Sequence, residues 1–165
     1  MSTPTEVLPG SIADVGAAAE VTRYLEPVVQ DLIALSVNGK QAHWHVRGMN
    51  FVRTHEFLDE VVDHAREASD TLAERVVALG HPVDGRLGQV AEKTRTPELT
   101  AGFQGAKATI RAIIAQIDAT RQDATTAIKA LDEIDPVSQD LVIAVAQELD
   151  KDRWFLSAHL DDLDD

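Results

Sequence analysis

The sequence contains no cysteine, few aromatic residues and no long hydrophobic run. Without cysteine there are neither disulfides nor thiolate ligands, so any bound metal must be held by His, Asp or Glu. No apolar run approaches the ~20 residues that a membrane-spanning helix requires. The first residues also lack the basic and apolar regions of a secretory signal peptide. These absences favour a cytoplasmic protein with no membrane insertion.

Basic residues are also scarce, since 15 Lys and Arg stand against 28 Asp and Glu and give a net charge of -13. No Lys or Arg precedes Arg23, and four of the residues in 161–165 are Asp. DNA binding usually requires clustered basic side chains, because neutralising phosphates supplies much of the affinity. We therefore expect no appreciable DNA binding at physiological salt. The charge attracts cations, although acidic residues also serve simply to keep a protein soluble.

Patterns typical of β-strands are nearly absent, and helical periodicity dominates the chain. The sequence predicts long helices at about 17–47, 51–79, 98–131 and 136–163, with a short helix near 88–93. Residues 48–50 form a turn, and Pro136 opens the last helix at a position that suits proline. The prediction is an all-α four-helix bundle, a single domain over 17–163. A flexible tail, 1–16, precedes it, and an acidic end, 164–165, follows it.

The second predicted helix separates a hydrophobic stripe from a row of potential metal ligands. At about 100° per residue, one side carries Phe57, Leu58, Val61, Ala65, Ala68, Leu72, Val76 and Leu79. His55, Asp59, Asp70 and Glu74 lie on another side, away from the bundle core. Carboxylate and imidazole ligands suit iron, manganese or zinc. Ordinary charges on a solvated helix surface give the same pattern, so periodicity alone leaves metal binding open.

The spacing of these four residues predicts a site shared between two chains. His55 and Asp59 are four residues apart, as are Asp70 and Glu74, so each pair can face one ion. Asp59 and Asp70 lie about 16 Å apart along the helix axis, too far for one ion with bonds of about 2 Å. An antiparallel copy of the helix, related by a two-fold axis near His64, places the second pair opposite the first.

Several segments resemble the signature of the Dps proteins (DNA-binding proteins from starved cells), which are mini-ferritins. These segments are Lys40–Phe51 (KQAHWHVRGMNF), His55–Asp59 (HEFLD) and Asp70–Arg75 (DTLAER), with Ser138–Leu141 and Leu149–Phe155 similar to the family's fourth helix. The resemblance covers residues 24 to 160. It implies a ferritin-like bundle that assembles into a hollow dodecameric shell. The chain has no Glu-x-x-His pair, which argues against the interior di-iron site of larger ferritins.

The resemblance also implies an activity. Dps proteins oxidise Fe(II), typically with hydrogen peroxide in preference to oxygen, and deposit ferric oxide inside the shell, which limits oxidative damage. The matching positions imply a ferroxidase site with iron bound by His43, His55 and Asp59 of one subunit and by Asp70 and Glu74 of its neighbour. The implied protein is thus a ferroxidase with Fe(II) and peroxide or oxygen as substrates.

Other residues match less specific features of the family. Trp44 and Trp154 match tryptophans near the site, where they quench stray oxidising equivalents or act as core or interface anchors. Asp140, with Asp135 and Glu133, matches the acidic pores that admit iron. Acids are equally typical of a helix N-terminus.

Two further functions stay open at this point. One is a structural or nucleoid-associated shell with incidental metal binding, and the other is a metal-dependent hydrolase, because a bound metal can activate water. No nucleophile or triad spacing supports hydrolysis. His45 and His64 are either ligands of an accessory ion or hydrogen-bonded structural residues, and we favour the second interpretation.

Overall fold

The computed structural model describes residues 15–161. Its four long helices are α1 (Val15–His45), α2 (Phe51–Ala78), α4 (Ala106–Leu131) and α5 (Pro136–Asp161), and a short helix, α3 (Leu87–Lys93), lies between α2 and α4. Two short strands, β1 (Val46–Arg47) and β2 (Gln104–Gly105), complete the elements. Most of the predicted tail and all of the predicted acidic end lie outside the described residues.

The four long helices pack as a bundle around a hydrophobic core. α1 lies along α2 and α4, while α5 lies along α4 and α2. Every residue of the predicted stripe on α2 is buried except Ala68, which is partly buried. The predicted all-α bundle, with a short helix in the connection between the second and third long helices, is thereby confirmed. Within 15–161, no helix combines the length and the apolar character needed to cross a membrane.

The start of α4 differs from the prediction. The helix begins at Ala106, not near Glu98. Gly102 has a φ of 82°, a left-handed conformation that glycine adopts without steric cost and that an α-helix excludes. The next residues, β2, pair in parallel with β1 instead of continuing a helix. Long-range backbone pairing of Gln104 and Gly105 is therefore the reason that α4 begins only at Ala106.

A polar cluster lies between α1, α4 and the segment that follows α3. Asp31 Oδ1 accepts hydrogen bonds from the Arg95 backbone N and the Thr94 hydroxyl, each at 2.8 Å. Asp123 Oδ1 accepts one from the Arg95 guanidinium at 2.5 Å. The Oδ2 atoms of Asp31 and Asp123 are buried with no hydrogen-bond partner in the described part of the chain. Burial raises the pKa of both carboxyl groups.

Candidate metal centre

The candidate centre lies where the end of α1 passes the beginning of α2. A Cβ atom on Gly39 would lie 2.9 Å from Cγ2 of Val62, a distance that carbon atoms do not tolerate. The absence of a side chain therefore lets the two helices approach closely, one helical turn before His43. Gly48 and Asn50 adopt positive φ angles of 95° and 64° in the turn that follows. This turn leads into α2, which packs back along α1.

His43 and His55 are bonded to each other in a reciprocal manner. Nδ1 of His43 lies 2.8 Å from the carbonyl oxygen of His55, and Nδ1 of His55 lies 3.0 Å from that of His43. Because a carbonyl oxygen only accepts, each Nδ1 carries a hydrogen. In the neutral rings each Nε2 then keeps its lone pair for a metal. The rings are stacked, with centroids 3.6 Å apart and planes 22° from parallel.

Asp59 completes this group, and a lysine joins it. Asp59 Oδ1 lies 3.2 Å from Nδ1 of His43 and accepts a hydrogen bond from Nζ of Lys40. The same Nζ lies 3.4 Å from Nε2 of His43. The hydrogen bond from Lys40 holds the pKa of the Asp59 carboxyl below its ordinary value. Sequence reasoning did not single out Lys40, although its position three residues before His43 puts both on one helix face.

Asp70 and Glu74 lie farther along α2. Both side chains are exposed, and the distance along the axis from Asp59 to Asp70 is about 16 Å. Neither makes a hydrogen bond or ion pair with any other residue that the structure describes. Within one chain, the structure therefore brings His43, His55 and Asp59 together and leaves Asp70 and Glu74 apart from them.

Apolar side chains close to the two histidines in the sequence are exposed. Trp44 is 62% exposed and Met49 is 84% exposed, while the ring of Phe51 lies 5.0 Å from that of His55. Trp154, on α5, is 66% exposed. Neither tryptophan therefore belongs to the core of the subunit.

The three predicted pore residues differ in their surroundings. Glu133 and Asp140 are exposed. Asp135 Oδ2 instead accepts hydrogen bonds from Arg75 Nη2 at 2.7 Å and from Ser138 Oγ at 2.5 Å. Partial burial raises the pKa of Asp135, but these bonds outweigh it and hold the pKa below its ordinary value. Asp135 Oδ1 also accepts a hydrogen bond from the Val137 backbone N at 3.3 Å, so Asp135 caps the start of α5 and pairs with α2.

The two other histidines considered from the sequence, His45 and His64, are hydrogen-bonded within the chain. Nδ1 of His45 lies 3.0 Å from the carbonyl oxygen of Gln41. Nδ1 of His64 faces α5, 3.0 Å from Asp152 Oδ1 and 3.3 Å from Glu148 Oε1. Sequence reasoning missed both acids, although their spacing of four residues on one helix was a signal for a shared partner.

Comparisons with known proteins agree with this architecture. The ferritin-like domain family model matches residues 22–165. The chain is 33% identical over 141 residues to the fine tangled pili major subunit of Haemophilus ducreyi, covering 86% of this chain and 75% of that protein. It is 32% identical over 144 residues to the DNA protection during starvation protein of Mycolicibacterium smegmatis, covering 87% and 79%.

A solved structure is more similar still. The structure of Dps from Microbacterium arborescens in the high iron form has a TM-score of 0.88 and 52% sequence identity, covering 92% of this chain and 99% of that one. The fold, the family match and the relatives agree along nearly the whole chain. The chain therefore belongs to the ferritin-like family and, within it, to the Dps proteins.

Proposed function

We propose that the protein oxidises Fe(II), preferably with hydrogen peroxide, at sites shared between two copies, and stores the ferric oxide in a hollow dodecameric shell. One observation carries the proposal. Nε2 of His43 and Oδ1 of Asp59 both contact the ammonium group of Lys40. A cation thus already lies between two groups whose chemistry suits Fe(II). Iron is the substrate in this reaction.

The proposed reaction balances with peroxide as the oxidant. Two Fe(II) ions each give up one electron, and one hydrogen peroxide accepts both. Its O–O bond breaks, and two protons are taken up to form two molecules of water. Fe(II) and peroxide, which together generate hydroxyl radicals, are both consumed, and this is the basis of the proposed protection from oxidative damage in the cytoplasm.

The separation along α2 supports a site shared between copies. His43, His55 and Asp59 supply few ligands. Asp70 and Glu74 are exposed and lie about 16 and about 22 Å from Asp59 along the axis of α2. An antiparallel copy of α2 brings the second pair to the first, twice per two-fold axis. Apolar side chains near the histidines in the sequence, Trp44 and Met49 among them, are exposed in the single chain. Contact with a second copy covers such side chains, and this gives Trp44 an interface role next to the iron.

One relative supports the iron substrate. The Microbacterium arborescens structure is described as a high iron form of Dps. We propose the same cargo for this chain, held in a shell of twelve copies of the domain over 17–163.

Mixed shells test the sharing of the site directly. One variant lacks the histidines (His43→Ala with His55→Ala), and the other lacks the distant acids (Asp70→Ala with Glu74→Ala). Each variant alone should oxidise Fe(II) slowly. When equal amounts are dissociated and reassembled together, half of the two-fold pairs contain one chain of each kind, and each such pair has one intact site. About a quarter of the wild-type rate should therefore return.

The controls are each variant dissociated and reassembled alone, with shell formation followed by light scattering. If all five ligands acted within one chain, every chain in the mixture would be defective and no rate would return. That result, with intact shells, would overturn the shared site. Unchanged oxidation in the separate variants would overturn the ligand assignment.

DNA binding needs a separate test, because one relative is named for DNA protection. The net charge of -13 opposes contact with phosphates. We expect no shift of duplex DNA in a gel at moderate salt. A stable complex there would instead favour the nucleoid-associated function.

A further inference from the structure

A second group of potential ligands lies between α2 and α5. His64 of α2 faces Glu148 and Asp152, which are four residues apart on α5 and so share one face. One ligand atom from each of the three residues lies within 4.8 Å of the others. Relative to His55, His64 is half a turn around α2 and about 14 Å along its axis. The group is therefore separate from the candidate iron site.

This group has more acceptors than donors. Nδ1 of His64 lies 3.0 and 3.1 Å from the two oxygens of Asp152 and 3.3 Å from Oε1 of Glu148. One nitrogen carries at most one hydrogen, so it satisfies only one of these three oxygens at a time. Lys151 Nζ, on the exposed side, donates to Glu148 Oε1 at 3.1 Å. Among residues 15–161, the Asp152 carboxylate, only 2% exposed, is left with an oxygen that has no donor of its own.

Burial of Asp152 makes the shortage of donors costly. Desolvation raises the pKa of its carboxyl group even though His64 donates a hydrogen bond to it. A cation among these oxygens removes the shortage, because the lone pairs of both carboxylates and of a neutral imidazole then point at one charge.

The distances suit a small divalent ion. Ligand atoms around an ion with bonds of about 2.0–2.2 Å lie about 3.0–3.5 Å from one another. The separations of 3.0 and 3.3 Å already fall in this range. The Asp152 side of the group is closed, whereas the His64 and Glu148 side chains are 28% and 40% exposed. In the single chain an ion can therefore enter from solvent and keep water in its open positions.

We propose that His64, Glu148 and Asp152 bind a divalent transition-metal ion, with zinc as the representative case. His64 ligates through Nδ1 and gives up its hydrogen there, while Glu148 exchanges its contact with Lys151 for the metal. The alternative is a protonated His64 that forms an ion pair with the two acids and has no affinity for metal. This site does not depend on the iron oxidation proposed above.

Zinc titration of the assembled protein distinguishes metal binding by His64, Glu148 and Asp152 from an ion pair with no affinity for metal. The titration uses a background with His43→Ala and His55→Ala, so that the candidate iron site lacks its imidazoles. On this background we expect binding of about one Zn²⁺ per subunit and a rise in the thermal unfolding midpoint with zinc concentration. Adding His64→Gln or Glu148→Gln should weaken the affinity at least tenfold and abolish the zinc-dependent rise in the midpoint.

The control removes two acids with the same spacing from another exposed surface, Glu56→Gln with Glu60→Gln, and should leave the zinc affinity unchanged. His64 and Glu148 are partly exposed, and Gln in place of His64 keeps an N–H donor on that side of the buried Asp152. If the background binds no zinc, or binds it equally well after His64→Gln and Glu148→Gln, the proposed site does not exist. Because the background already lacks the iron-site imidazoles, either result leaves the proposed ferroxidase function untouched.

Discussion

His43 and His55 each donate the Nδ1 hydrogen to the backbone carbonyl of the other, across the contact between α1 and α2. The arrangement fixes the orientation of both rings before any metal arrives, and it directs the hydrogen to Nδ1 and the lone pair to Nε2. It also links the ligands to the stability of the fold, because the same atoms that orient the rings hold the two helices together.

The first prediction follows from this double role. His43 is buried and bonded to α2, so His43→Ala should destabilise the subunit by about 1–3 kcal/mol. Asp70 is exposed, so Asp70→Ala should change stability by less than about 0.5 kcal/mol. Both variants should lose most of the iron oxidation. Thermal unfolding and Fe(II) oxidation measured on the same samples give the comparison, and equal losses of stability would contradict the assignment.

Lys40 makes the second prediction possible, because its ammonium lies where a metal would contact His43 and Asp59. Lys40→Met removes this competing cation. We expect Zn²⁺ to bind up to about fivefold more tightly, the range of a partly exposed ion pair. The pKa of Asp59 should rise toward its ordinary value, so the affinity advantage of the variant should shrink as the solution is acidified and Asp59 becomes protonated in both proteins.

Lys40→Arg is the matched control for this prediction, since it keeps the positive charge and should change affinity less than Lys40→Met. Calorimetric titration at low and moderate salt measures both, because salt screens an exposed charge. Weaker zinc binding by Lys40→Met would show that Lys40 supports the site and does not compete for it.

The sequence predicted the bundle well because each long helix depends mainly on residues that are close together in the chain. The hydrophobic stripe of α2 follows from period 3.6 alone, and the structure buries it. The early part of α4 was predicted wrongly because its conformation depends on distant residues. β2 pairs with β1, and the guanidinium of Arg47 lies 3.5 Å from the ring centroid of Phe103. The sequence around 98–105 alone does not predict the pairing with β1 or the contact with Arg47.

The candidate site shows the same division between local and distant information. Spacing within α2 placed Asp70 and Glu74 out of reach of His55 and Asp59, and the structure keeps all four on one uninterrupted helix. The contact of Lys40 with Asp59 and the turn of His64 toward α5 depend on how helices pack against one another. Periodicity gives the face of each helix, whereas the partner of that face is set by the tertiary fold.

The buried carboxyl groups of Asp31 and Asp123 lead to a prediction about pH. Burial raises the pKa of both, so their favourable contribution is complete below the ordinary pKa and is lost as the pH rises through the folded-state pKa. Asp31→Asn cannot ionise. The stability of this variant relative to the wild type should therefore improve from about pH 4 to about pH 7, as measured by thermal unfolding at several pH values.

Asp84 provides the opposite case for that measurement. Hydrogen bonds from Arg86 lower the pKa of Asp84 to about 2, so its stabilising contribution is present above the ordinary pKa and is lost on acidification. The difference between Asp84→Asn and the wild type should be constant above about pH 5. If the difference in stability between Asp31→Asn and the wild type were also constant with pH, burial would not raise the pKa of Asp31.

The last prediction separates a cap from a pore residue. Asp135 accepts hydrogen bonds from Arg75 and Ser138, so Asp135→Ala should destabilise the protein by about 1–2 kcal/mol, as removal of a helix cap does.

Asp140 is exposed on the next turn of α5, and Asp140→Ala should leave stability within about 0.5 kcal/mol. If Asp140 lines a pore that attracts Fe(II), its variant should take up iron more slowly at low salt, with the difference shrinking at high salt because the attraction is screened. Stopped-flow absorbance at two ionic strengths measures this, and a salt-independent rate equal to that of the wild type would remove Asp140 from the path of iron.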